Sequence, residues 1–173
     1  MKKLKLYEYF LYTGIILFTI FLDQLTKWLA VKFLEPIKEG VPVIEGIFHL
    51  TYKENEGAAF GILADHRWVF MTISVFAIGA LLFYLFAGLA ENKLYAVSVA
   101  MIIGGGIGNM IDRIALGYVV DFMDFTGIGF PGIFNTADSF VCVGAGILLL
   151  ALILDIVKES KKLKKEKETK EGK

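Results

Sequence analysis

Two carboxylates stand where carboxylates are uncommon. Asp121 sits within Gly117-Tyr118-Val119-Val120-Asp121-Phe122-Met123-Asp124-Phe125, and Asp138 closes Phe134-Asn135-Thr136-Ala137-Asp138. Both segments border long apolar runs. An ionised carboxylate near a membrane loses most of its hydration, so intramembrane acids are rare and usually functional. Two such acids brought together cannot both stay charged at low cost, and one is pushed to remain protonated. An acid and a base of one residue type are what water-mediated peptide hydrolysis needs. Asp121 and Asp138 are read as that pair. Asp124 competes with Asp121, because residues three apart share a face of a helical turn. Against it, Val119, Val120 and Phe122 favour extended chain, which would point Asp121 and Asp124 to opposite sides.

The apolar runs that border these acids read as membrane helices. Of 173 residues, 56% are hydrophobic, the mean hydropathy is +0.63, and the apolar residues cluster in runs near the roughly 20 residues that cross hydrocarbon. The chain reads as an all-α integral membrane protein with four transmembrane helices and a small extracytoplasmic β-sheet between helices one and two. One domain covers residues 1–157, with a surface β segment over about 36–63, and residues 158–173 form a charged cytoplasmic tail. The balanced charge, 18 basic against 18 acidic residues, gives no pointer to nucleic acid. With Cys142 alone, no internal disulfide or thiol metal cluster is expected.

Helix one is expected over about Tyr9 to Val31. Lys2, Lys3 and Lys5 precede it as in a signal peptide, but the apolar run is too long for an ordinary signal core and lacks a clean cleavage site. It is read as retained. Asp23 and Lys27 are four apart and share one face. They form either an interfacial pair, with Lys27 extended toward water, or a pair turned into the bundle. Asp23 is too short to reach far, which favours the interior. Pro36, Gly40, Pro42 and Gly46 then interrupt any helix, and Phe48, Leu50 and Tyr52 alternate with polar residues as in a half-buried strand. The run Asn55-Glu56-Gly57-Ala58-Ala59-Phe60-Gly61 offers small residues for close backbone approach.

Helix two is expected over Trp68 to Leu89, with Trp68 as an interfacial anchor, and helix three over Leu94 to Ile111. Gly104-Gly105-Gly106-Ile107-Gly108-Asn109 lacks the strand and third glycine of a dinucleotide loop. It suits close helix packing instead. Helix four is expected over Ala137 to Val157, which places Asp138 in its first turn, where the helix dipole favours an anion. With four helices, Lys2, Lys3, Lys5, Lys93 and the eight lysines of the tail share one side, and the positive-inside bias makes that side cytoplasmic. Asp23, Asn55, Asn109, Arg113, Asp121, Asn135 and Asp138 then meet at the outer face.

Other hydrolytic chemistries find no support. No His-Glu-x-x-His occurs, and His49 and His66 lie in unrelated contexts. Ser74 and Ser98 lack a base, and Cys142 reads as a buried small hydrophobe. A small proton- or cation-coupled transporter is the rival from another class. It would place acids near the midplane and often repeat its halves, whereas here the acids fall at helix ends.

Five blocks in order carry a resemblance: Asp23-Gln24-Leu25-Thr26-Lys27, Asn55-Glu56-Gly57-Ala58-Ala59-Phe60, Gly105-Gly106-Ile107-Gly108-Asn109-Met110-Ile111-Asp112-Arg113, Val119-Val120-Asp121-Phe122 and Phe134-Asn135-Thr136-Ala137-Asp138. With them the chain resembles the lipoprotein signal peptidases, the type II signal peptidases of bacteria, over about residues 20–140. The resemblance implies a membrane aspartic endopeptidase of the bacterial cytoplasmic (inner) membrane, working without metal or cofactor. Its partners would be membrane lipids and diacylglyceryl-modified prolipoproteins, cut before the lipidated cysteine. It places the catalytic aspartates at Asp121 and Asp138. Asn55, Asn109, Arg113 and Asn135, with Gly57 beside them, take the substrate-contacting positions, and Asp23 and Lys27 a supporting one.

Overall fold

The computed structural model describes residues 4–37, 39–57, 67–90, 92–130 and 132–171. Within them the chain forms α1 (Leu6–Phe33), β1 (Val41–Ile44), β2 (Phe48–Asn55), α2 (Arg67–Phe86), α3 (Lys93–Ala115), β3 (Val119–Asp124), β4 (Ile133–Phe134) and α4 (Thr136–Glu171). A single 3₁₀ turn, Thr126–Ile128, leads from β3 toward β4.

The buried residues of α1 are Glu8, Tyr12, Ile16, Thr19, Asp23, Lys27 and Ala30, spaced by three and four along its whole length. That spacing is one helical face, so Asp23 and Lys27 lie on the same stripe as the apolar core residues. The interior reading of the pair holds. The stripe meets α3, which is buried on several sides and packs against α1, α2 and α4. Small residues set the approach: a Cβ at Gly104 would strike the Thr19 side chain, and one at Gly105 the Ala137 carbonyl. Close contact through glycine is how membrane helices gain packing without a hydrophobic drive between them.

The outward faces are apolar instead of polar. Phe10, Phe18 and Phe21 of α1, Phe76 and Phe83 of α2, and Leu149 and Ile156 of α4 are all exposed. Leu6–Phe33, Lys93–Ala115 and Thr136–Lys164 are long and apolar enough to cross a membrane, and α2 contributes a shorter apolar stretch, Met71–Phe86. This is a multi-pass membrane protein.

Several expectations change. The sheet has four antiparallel strands in the order β1-β2-β3-β4, so it draws two strands from beyond α3 and is not confined to the α1–α2 segment. Val119–Asp124 supplies β-branched and aromatic residues to the free edge of β2, pairing Asn55 with Val119 and Lys53 with Asp121. The extended reading around Asp121 is therefore correct. The part of the expected β segment over 58–63 lies outside the described residues. A second cluster, Ala30, Leu34, Val120 and Phe122, seats this sheet on the end of α1. α4 does not stop near Val157 but runs to Glu171, because Lys and Glu are good helix formers and neither Gly nor Pro intervenes. Cys142 is exposed, on a helix face covered by hydrocarbon in a membrane protein, and is not buried in the core.

Candidate active site

Asp138 owes its placement to the start of α4. Asn135 caps that helix: its Oδ1 accepts the Asp138 N–H at 2.9 Å, and Asp138 Oδ2 accepts the Asn135 N–H at 3.3 Å. The reciprocal pair is a capping box, which satisfies backbone donors that a helix start leaves free. Another of these donors, the Ala137 N–H, goes to Asp23 Oδ1 of α1 at 2.8 Å. Thr26 and Thr136 join their hydroxyls at 2.7 Å beside it. The first helix thus completes the cap of the last.

Asp121 reaches the same place from β3. It is 2% exposed, and each oxygen accepts an amide. Asn135 Nδ2 donates to Oδ1 at 2.6 Å and Asn55 Nδ2 to Oδ2 at 2.8 Å. Asn135 Nδ2 also meets Asn109 Oδ1 at 3.0 Å, and Asn109 Nδ2 donates to Asp138 Oδ1 at 2.7 Å. Two amides therefore bridge the two carboxylates. Burial pushes the Asp121 carboxyl up to about 6, with the charge of Asp138 adding to the rise and the amides of Asn55 and Asn135 holding it back. Asp138 keeps partial exposure. A buried acid beside a more accessible one, held by shared amides, can divide the roles of proton donor and water activator.

Asp124 is elsewhere. It accepts the Thr126 N–H at 2.9 Å, the Thr126 hydroxyl at 2.6 Å and the Thr51 hydroxyl at 3.2 Å. Partial burial would raise its carboxyl, but the bonds from Thr126 and Thr51 keep it below the usual range. It shapes a turn.

Beneath the bridge lies a buried charged cluster. The Lys27 ammonium has three N–H donors, and they meet Asp23 Oδ2, Asp112 Oδ2 and Asn109 Oδ1, each at 2.9 Å. Its side chain is 4% exposed, so it does not extend toward water. The cost of desolvating these charges offsets much of their mutual attraction, so the cluster is weak evidence for stability. Gly108 makes room, since a Cβ there would fall on the Asp23 carboxylate. Arg113 donates to the Gly57 carbonyl at 3.3 Å, and the Gly57 N–H donates to Asn55 Oδ1 at 3.1 Å. Arg113 therefore steadies the turn that presents Asn55.

The structure gathers Asp23, Lys27, Asn55, Gly57, Asn109, Arg113, Asn135, Asp121 and Asp138 at one end of the bundle. The sequence reading sets Asp112 beside Asn109 and Arg113 at a water-facing end of helix three and gives neither it nor Gln24 a role in the site, whereas Asp112 is 4% exposed. Gln24 Nε2 donates to Asp112 Oδ1 at 2.9 Å and lies 3.2 Å from Asp23 Oδ2 and from the Gly108 carbonyl. Asn109 and Asp112 are three apart on one helix face, and that spacing was the available signal.

Fold and site together define a class: a multi-pass helical membrane protein with a polar, carboxylate-bearing centre at one end of its bundle. The model of the family described as signal peptidase (SPase) II matches residues 15–154. A lipoprotein signal peptidase of Caldanaerobacter subterraneus subsp. tengcongensis is 55% identical over 134 residues, 78% of this chain and 90% of its own length. That of Bacillus subtilis is 40% identical over 153 residues, 87% and 98%. A solved structure described as a bacterial membrane enzyme superposes with a TM-score of 0.76 at 32% identity, covering 84% of this chain and 88% of its own. The chain belongs to the signal peptidase II family. The transporter reading is set aside.

Proposed function

We propose that this protein is an aspartic endopeptidase that removes signal peptides from diacylglyceryl-modified prolipoproteins, cutting before the lipidated cysteine. The observation that carries the reading is the pair Asp121 and Asp138, bridged through Asn135 and Asn109 at the end of an apolar bundle. One carboxylate takes a proton from water as the water attacks the scissile carbonyl. The other, protonated, polarises that carbonyl, and the proton then passes to the departing amine. Asn55, Asn109, Asn135 and Arg113, with the Gly57 backbone, surround the reacting bond, while Asp23 and Lys27 support them from below.

The placement follows the substrate. A diacylglyceryl chain stays in the bilayer while the peptide bond sits near its surface, and the carboxylates stand at helix ends. α2 is the fourth crossing, and the sheet lies on the outer face of the bacterial inner membrane. Both termini are cytoplasmic, with residues 1–157 as one protease domain and 158–173 as its charged extension. The lysine distribution supports this orientation.

The test is cleavage of a lipidated prolipoprotein by purified protein in detergent. Asp121→Asn and Asp138→Asn should each lower the rate by roughly 10²–10⁴-fold, whereas Asp124→Asn stays close to the parent. A dead Asp124→Asn beside an active Asp121→Asn would reverse the assignment.

A further inference from the structure

Both reacting acids are tied to one further carboxylate. Asp112 is 4% exposed. Its Oδ2 accepts Lys27 Nζ at 2.9 Å and the Val120 N–H at 3.1 Å, and its Oδ1 accepts Gln24 Nε2 at 2.9 Å. Two paths leave it. Val120 is the residue before Asp121, so the bond to its N–H anchors the strand one peptide ahead of Asp121. Lys27 leads the other way. An ammonium only donates, so the Asn109 atom facing Lys27 must be its oxygen. That choice turns Asn109 Nδ2 toward Asp138 Oδ1, 2.7 Å away.

We propose that Asp112 is a positioning residue for the hydrolysis: from α3 it holds Asp121 through Val120, and Asp138 through Lys27 and Asn109. The inference rests on Asp121 and Asp138 being the reacting acids. Three donors of different origin converge on Asp112: an ammonium, a main-chain N–H and a side-chain amide. Only a carboxylate accepts all three, because an asparagine would set its own NH₂ against Gln24 or Lys27. The arrangement makes the two acids keep one spacing. Displacement at Asp112 reaches both.

The main-chain carbonyl of Asp112 accepts the N–H groups of Leu116 and Gly117, so a side-chain exchange leaves the end of α3 intact. Asp112→Glu retains the charge and shifts the oxygens by on the order of 1 Å, a misplacement that can lower a rate by about 10²-fold. The experiment measures kcat and KM separately on full-length protein with a lipidated prolipoprotein, alongside thermal unfolding. The expected result is a kcat lower by about 10²-fold with KM and the unfolding midpoint near the parent values. Asp112→Asn should fall in the same direction. Parental kcat in folded Asp112→Glu overturns the proposal, and so does a loss that merely tracks the folded fraction. If Asp112→Glu does not fold, Lys27→Met carries the test, since it releases the Asn109 amide. Parental kcat there also overturns it. Asp121→Asn and Asp138→Asn run in parallel: activity in those variants removes the catalytic assignment itself, whereas dead aspartate variants beside an active Asp112→Glu remove only the role of Asp112.

Discussion

Asp121 carries a conflict that no other residue of the site shows so plainly. Burial first, and then the charge of Asp138, push its carboxyl up to about 6, above the ordinary value near 3.9. A raised carboxyl is at ease when protonated, so its contribution to folding is complete below about pH 4 and is lost as pH rises through about 6. Hydrolysis by a carboxylate pair needs one proton retained. The alkaline limb of kcat/KM, which reports the free enzyme, should therefore fall above about pH 6. Asn55 Nδ2 donates to Asp121 Oδ2 and favours its charged form. Asn55→Ala should move that limb to higher pH, as measured by initial rates across the range. A downward move, or a flat profile in the parent, would show that Asp121 is not the titrating acid.

Among the elements, α3 is the part whose small residues can be tested one by one. An added Cβ at Gly105 of α3 meets the Ala137 carbonyl of α4, whereas at Gly146, on α4 itself, nothing lies within 4 Å. Gly105→Ala should lose about 1–3 kcal/mol of stability through overpacking. Gly146→Ala should match or slightly exceed the parent, because alanine is the better helix former. Thermal unfolding in detergent separates the two. The glycine run was legible as a packing surface because only backbone proximity explains so many small residues in an apolar helix. Helix existence was equally legible, since apolar length suffices for it. The joining of β3 and β4 to the hairpin β1–β2 was not, because an open strand edge has no local signature of its partner. Asp112 and Gln24 escaped for a similar reason. Their roles arise where α1 meets α3, and polar residues near a helix end read equally well as surface.

At the level of the whole molecule, charge and shape agree. α4 has 36 residues, about 54 Å at 1.5 Å each, against hydrocarbon about 30 Å thick. Its Lys- and Glu-rich end must stand clear of the bilayer. The proposed topology, with both termini cytoplasmic, predicts that a cysteine at Lys170 in a Cys142→Ala background resists a membrane-impermeant reagent in intact cells. A cysteine at exposed Glu45 should react. The opposite pattern would invert the topology and place the carboxylates on the wrong side for exported substrates.

The seat of Asp138 is closed by Asp23, 114 residues upstream of Ala137. A ribosome delivers the first helix long before the last, so this polar centre is a late product of synthesis. A chain still emerging holds Asp121 without its counterpart. With Asp121 and Asp138 as the proposed reacting acids, the nascent chain stays silent until its final helix enters the bilayer and meets its first. On that proposal a stalled or truncated copy, lacking that encounter, leaves no stray protease in the membrane.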